Sequence, residues 1–185
     1  VPTLVCVARL EPVKNHRVLL EALALLRARG VPFRAALLGD GKAREAVLAA
    51  RRELGLDEVV DMPGAADQDQ VRDWLQRADV SVLSSDSEGM PVSLMEAAAA
   101  GVPVVATDVG GNADLVADGE TGYIVAPRDP AAFAAALERL LSDPGQRARF
   151  GAAARNRAIA RFSLAHQVDQ MLSVWEQVLE HRFPG

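Results

Sequence analysis

Ser85-Asp86-Ser87-Glu88-Gly89-Met90-Pro91-Val92-Ser93-Leu94-Met95-Glu96-Ala97-Ala98-Ala99-Ala100-Gly101-Val102-Pro103-Val104-Val105-Ala106-Thr107-Asp108-Val109-Gly110-Gly111 is the stretch on which the fold turns. Just before it, Asp79 to Ser84 carries Val80, Val82 and Leu83, a short apolar run that reads as a strand buried in a parallel sheet. Glu88 to Pro91 is a tight turn, and Pro91 suits a helix start because its missing N–H would be unpaired there anyway. Val92 to Ala100 is an apolar, alanine-rich helix that Gly101 closes. Val102 to Thr107 is the next strand. The unit is strand, glycine turn, helix, strand.

Such a turn presents free backbone N–H groups and a partial positive charge, so it attracts anions such as phosphate. Gly89 lets backbone come close to a ligand. A carboxylate at Glu88 would repel phosphate, but it can accept hydrogen bonds from hydroxyls beside one, as sugars and riboses supply. The alternative is that Glu88 caps the helix and Glu96 is a solvated helical residue. Glu96 stands among Leu94, Met95 and four alanines, which is a poor setting for a solvated face.

Outward from this unit, strands are predicted over Thr3–Ala8, Phe33–Leu38, Val59–Met62 and Gly122–Val125. Helices are predicted over Arg17–Arg29, Ala43–Leu54, Gln68–Gln76, Asn112–Val116, Pro130–Leu141, Gln146–Phe162 and Leu164–His181. Pro63-Gly64 is read as turning out of the third strand, and His16 as a surface or helix-start residue. The alanine excess reads as general compositional bias. Strands alternating with helices make an α/β protein, a doubly wound, Rossmann-like parallel sheet of about six strands flanked by helices. Ligands in such folds sit at the carboxyl ends of the strands, which puts Arg9, Gly39, Gly64, the Ser84–Met90 segment and Asp108–Gly111 on one rim. Arg9 and Lys14 are two cations in one rim loop: either an anion clamp or two solvated surface charges.

The chain has 185 residues, half of them hydrophobic, which is enough for one compact domain with its own core. Its net charge of −5 leaves no basic footprint for nucleic acid. No apolar run approaches the roughly 20 residues that span a bilayer, and no signal peptide is visible, so a soluble, cytoplasmic protein is expected. A single cysteine, Cys6, in a strand-like run excludes a disulfide framework and reads as a small core residue. The opening Val1-Pro2 runs straight into a strand with no initiator methionine, which suggests a piece of a longer protein. No glycine-rich turn follows the first strand, which argues against a nicotinamide oxidoreductase.

Glu88 and Glu96 with seven residues between, followed by Gly101-Val102-Pro103-Val104-Val105-Ala106-Thr107-Asp108-Val109-Gly110-Gly111, resemble the signature of the retaining, nucleotide-sugar-dependent glycosyltransferases of family four. These have two Rossmann-like domains, the GT-B architecture, and the signature belongs to the C-terminal, donor-binding half. The resemblance covers nearly the whole chain. It implies a donor-binding domain over residues 1–162 and a C-terminal helix, residues 163–185, crossing back to an N-terminal domain not present here. By the same resemblance Arg9 and Lys14 bind the donor diphosphate, and Glu88 the transferred sugar, these three being the catalytic candidates. Met90, Pro91, Val92 and Ser93 lie under the diphosphate, and Glu96 takes the ribose hydroxyls. Gly39 stands near the nucleotide and Gly89 in the turn, while the loop at Gly64 and Ala65 receives the base.

The implied reaction moves a hexose-type sugar from a UDP- or GDP-linked donor to a carbohydrate or lipid-linked acceptor, with retention. No cofactor beyond the donor substrate is implied. No Asp-x-Asp cluster stands on the rim, so no metal is expected. The isolated half is expected to be inactive, to self-associate through Leu164–His181, and, in a full-length enzyme, to meet the inner face of the membrane peripherally. Two other readings remain: a free-standing nucleotide-sugar binding or regulatory module, and an epimerase or phosphorylase-like relative.

Overall fold

Runs rich in valine, leucine and alanine form six strands, and all six pair in parallel. The computed structural model describes residues 1–162 together with 168, 171–173 and 175. The strands are β1 (Thr3–Val7), β2 (Arg34–Leu38), β3 (Val60–Gly64), β4 (Val80–Leu83), β5 (Val104–Thr107) and β6 (Gly122–Val125). Interleaved with them are α1 (His16–Ala28), α2 (Arg44–Glu53), α3 (Gln68–Arg77), α4 (Val92–Ala100), α5 (Asn112–Leu115), α6 (Pro130–Ser142) and α7 (Pro144–Phe162). The order across the sheet is β3-β2-β1-β4-β5-β6, the doubly wound arrangement, with its reversal between β1 and β4.

The pleat divides the core in two. Leu4 and Cys6 of β1 face a layer that includes Leu19, Leu23 and Leu26 of α1 and Phe133 and Leu137 of α6. Val5, between them, faces the other side with Val71 and Leu75 of α3 and Leu94 and Ala97 of α4. Cys6 is the buried core residue expected, and burial pushes its thiol pKa up to about 12.

Three expectations change. β3 does not end at Met62 but runs on through Pro63 and Gly64, because β3 is an edge strand, where a missing N–H is tolerated. The register slips there: Ala36 pairs with Asp61 and Leu38 with Gly64, an extra residue on the β3 side. His16 does begin α1 but is buried, not on the surface. Some of the alanines are more than compositional bias: Ala97, Ala154 and Ala158 are buried where α4 and α7 meet. Gly151 completes that contact, since a Cβ there would stand 2.1 Å from the Gly101 carbonyl oxygen. The expected helix over Leu164–His181 lies largely outside the described residues. Of its apolar stripe, Val168, Met171, Leu172 and Trp175 are described, and all four are exposed.

Candidate functional site

A doubly wound sheet opens a crevice where its strand order reverses, because the connections on either side leave in opposite directions. Here the crevice lies between the loops that follow β1 and β4. These loops are stitched together. The Asp86 N–H donates to the Val13 carbonyl at 2.8 Å, and the Ser84 hydroxyl reaches the Lys14 and Asn15 carbonyls at 3.2 and 3.1 Å. Asn15 adopts the left-handed conformation, φ +43°, that asparagine tolerates better than most residues. Its side-chain amide donates to Asp86 at 2.9 Å. Arg128 forks onto the other Asp86 oxygen, and together with Asn15 it holds that carboxyl below the usual carboxylate range.

At the centre of the crevice Lys14 meets Glu88. The Lys14 ammonium donates to Glu88 Oε1 at 2.5 Å, and the Ser85 hydroxyl donates to the same oxygen at 2.5 Å. Both charged side chains are largely covered, 17% and 7% exposed, so their attraction is only weakly screened. Among the described residues Glu88 Oε2 accepts no hydrogen bond. The β5–α5 segment closes on this turn from behind. The Gly111 N–H donates to the Gly89 carbonyl at 2.8 Å. Gly110 has φ +52°, and a Cβ on it would stand 1.8 Å from the Glu88 carbonyl oxygen. These two glycines therefore shape the loop.

Beside the pair runs a cleft of about 420 Å³. Its wall unites Arg9, Gly39, Ala65, Val92, Ser93 and Glu96, six of the residues expected at the site, with Asp40 and Ala66 beside them. Arg9 is exposed and makes no ion pair among the described residues. Pro91 is the N-cap of α4, and the first bond of that helix is Leu94 N–H to the Pro91 carbonyl. The Val92 and Ser93 N–H groups precede it, and among the described residues they donate to nothing. Glu96 is half-buried on the same wall, and burial raises its carboxyl pKa.

The remaining expected residues lie around this cleft. Gly64 ends β3 and its carbonyl accepts the Gly39 N–H at 2.7 Å. Pro91 is buried under the turn, while Gly89 and Met90 are exposed at its tip. A Cβ on Gly89 would meet nothing within 4 Å, so the turn is open on that side. Lys14, expected beside the phosphates, pairs with Glu88. From the sequence, Ser85 and Asp86 fall on the rim without a role for either, and Asn15, Arg128 and Asn112 are given none. Only Ser85 left a signal, a small hydroxyl three residues before Glu88 at the end of an apolar strand.

Among the described residues no three or more histidines, cysteines or acids gather as metal ligands, and no helix is long and apolar enough to cross a membrane.

The family described as "Glycosyl transferases group 1" matches residues 1–157. The D-inositol 3-phosphate glycosyltransferase of Thermobispora bispora is 34% identical over 186 aligned residues, covering 96% of this chain and 43% of that protein. The chain thus spans less than half the length of this curated relative. The Anabaena protein HepE, solved in complex with UDP-glucose, superposes with a TM-score of 0.82 at 25% identity, over 93% of this chain and 48% of that one. The C-terminal domain of the Francisella tularensis group 1 glycosyl transferase LpcC shares the fold, with a TM-score of 0.80 at 22% identity over 88% of this chain and 87% of that one.

Proposed function

This chain belongs to the group 1 glycosyl transferases, and from that premise we propose that it is the donor-binding part of a retaining, metal-independent hexosyltransferase that uses a UDP- or GDP-linked sugar. The observation that carries this reading is the pairing, at the sheet's reversal point, of an acid–cation couple with an open anion-binding cleft. Residues 1–162 form the donor domain. Residues 163–185 lead toward an N-terminal half that holds a carbohydrate or lipid-linked acceptor, in the cytoplasm and at the inner face of the membrane.

The hard step is departure of a nucleoside diphosphate from the anomeric carbon. Negative charge grows on the leaving phosphate, and three groups would stabilise it, two on the cleft wall and the third, Lys14, brought in from its pair with Glu88. Arg9 offers a planar fork of donors that matches phosphate oxygens. Val92 and Ser93 offer two unpaired N–H groups at the start of a nine-residue helix. Lys14 supplies a point charge once it leaves Glu88. Donors fixed in advance stabilise that charge without having to reorganise. Glu88 then turns its free oxygen to the sugar hydroxyls, and Glu96 accepts from the ribose. UDP-glucose bound to HepE, a structural relative, supports this class of donor. No observation favours a free-standing regulatory module.

Calorimetric titration of the chain with UDP, GDP and their hexose conjugates, with and without a chelator, tests this. Saturable binding that survives chelation is expected. Arg9→Ala should weaken it by about 1.5–3 kcal/mol, the value of a charge-assisted contact. Failure of every nucleoside diphosphate to bind, or a strict need for magnesium, overturns the reading.

A further inference from the structure

We propose that Ser85 is the positioning residue that keeps the Glu88 carboxylate in place when Lys14 is drawn away to the donor diphosphate. The inference rests on the reading of Glu88 as the ligand of the transferred sugar and goes beyond it in assigning what holds that ligand.

Glu88 Oε1 has two donors, Lys14 and Ser85, each at 2.5 Å. They differ in what they can do next. Lys14 sits at the end of a four-carbon stem with rotatable bonds, and its charge is attracted by any phosphate entering the cleft. Its departure would leave Glu88 with one protein donor. A carboxylate held by a single mobile partner would rotate and lose its aim at the sugar, unless the remaining donor is itself immobile.

Ser85 is immobile. It is fully buried, and its carbonyl accepts the Thr107 hydroxyl at 2.6 Å. Thr107 is fully buried at the end of β5, and its carbonyl in turn accepts the side-chain amide of Asn112, also fully buried, at 2.9 Å. The chain of donors therefore runs from Asn112 through Thr107 and Ser85 to Glu88, and all three donors lie out of solvent. Buried hydrogen bonds of this kind hold the Ser85 backbone in place because breaking one strands a polar group without water, and from that fixed backbone the hydroxyl reaches Glu88. The backbone reinforces the side chains, since Gly110 and Gly111 press directly on the carbonyls of Glu88 and Gly89. With Oε1 tied from behind, Oε2 is the oxygen left for a ligand hydroxyl.

A purely structural Ser85 would affect nucleotide and nucleotide sugar alike. A positioning Ser85 affects only ligands that touch Glu88. The test is calorimetry on this chain with UDP against UDP-glucose and GDP against GDP-mannose, alongside thermal melts. Ser85→Ala is expected to weaken the better sugar conjugate about fivefold to tenfold, the value of one hydrogen bond to a charged group partly offset by relaxation, and to leave the bare nucleotide within about twofold. Thr107→Val should give a smaller loss of the same kind, and Thr107→Ser should restore it. In a Glu88→Gln background the effect of Ser85→Ala on the sugar conjugate should vanish, because the two act through one group. Equal weakening of nucleotide and conjugate by Ser85→Ala, or an undiminished effect in the Glu88→Gln background, overturns the assignment of Ser85 while leaving the donor site standing. If Glu88→Gln itself fails to separate nucleotide from conjugate, the reading of Glu88 falls, and the role of Ser85 falls with it.

Discussion

Replacing Glu88 by glutamine should strengthen the binding of a bare nucleoside diphosphate while weakening that of the sugar conjugate. The reason lies in the Lys14–Glu88 contact of 2.5 Å, with the two side chains only 17% and 7% exposed. Any diphosphate that recruits Lys14 must first take it from Glu88. A hydrogen bond between charged groups contributes about 1.5–3 kcal/mol, and part of that is recovered because water takes the place of Lys14 beside the Glu88 carboxylate, so a net cost of about 1 kcal/mol remains. Glutamine keeps the shape but loses the charge, and Lys14 is then free to meet phosphate. UDP should therefore bind about threefold to tenfold more tightly, following the conversion of 1.4 kcal/mol per tenfold.

The sugar conjugate gains the same release of Lys14 but loses hydrogen bonds from its hydroxyls to a carboxylate. Their loss should outweigh the gain and leave it about tenfold weaker than in the unsubstituted chain. The two affinities thus move in opposite directions, which a general loosening of the fold cannot produce. The assay is calorimetry on purified chain at low salt, with the Lys14→Met single and the Lys14→Met, Glu88→Gln double variants completing the cycle. In the double variant the gain for UDP should disappear. Weakening of UDP by Glu88→Gln to the same degree as UDP-glucose would refute the competition for Lys14.

Glu96→Gln should weaken UDP yet raise the melting temperature of the empty chain near neutral pH, because burial raises the Glu96 carboxyl pKa and so disfavours its charged form; a lower melting temperature would contradict this. His16 is buried with neither ring nitrogen bonded, and burial, with Lys14 adding to it, lowers its pKa from 6.5 to about 4. The unfolded chain takes up the proton first, so stability should fall as pH drops from 6.5 toward 4, by up to about 3 kcal/mol. Urea melts across that window should show a flatter slope for His16→Leu; an unchanged slope would exclude His16 as the cause. Trp175, with Met171 and Leu172 beside it, is exposed, and sedimentation should show concentration-dependent association that is absent from a chain ending at Ser163. A strict monomer at high concentration would show that this stripe draws no second copy.

The class of the fold was readable from local rules. Short apolar strands, glycines after helices and a proline before α4 each depend on a few neighbouring residues, and they sum to an alternating pattern that only a parallel sheet satisfies. The rim rule, that ligand loops in such sheets follow strands, named Arg9 and Gly39, which do line one cleft; Val92, Ser93 and Glu96, which line it too, were supplied by the family resemblance. Periodicity could not say which rim residues touch. Lys14 and Glu88 are 74 residues apart, and Ser85 and Thr107 are 22 apart. Their contacts exist because β1, β4 and β5 lie side by side in register and their loops are laced through Asn15 and Asp86. Burial likewise depends on neighbours distant in sequence. His16 read as a surface or helix-start residue, and only the packing of α1 buries it; likewise only the tertiary structure brings the Gly101 carbonyl within 2.1 Å of where a Cβ on Gly151 would stand. Local chemistry determines which elements form and which ends of them attract a phosphate. The partner of each charge is decided by the strand order and by how closely the backbones approach, and those are properties of the assembled sheet.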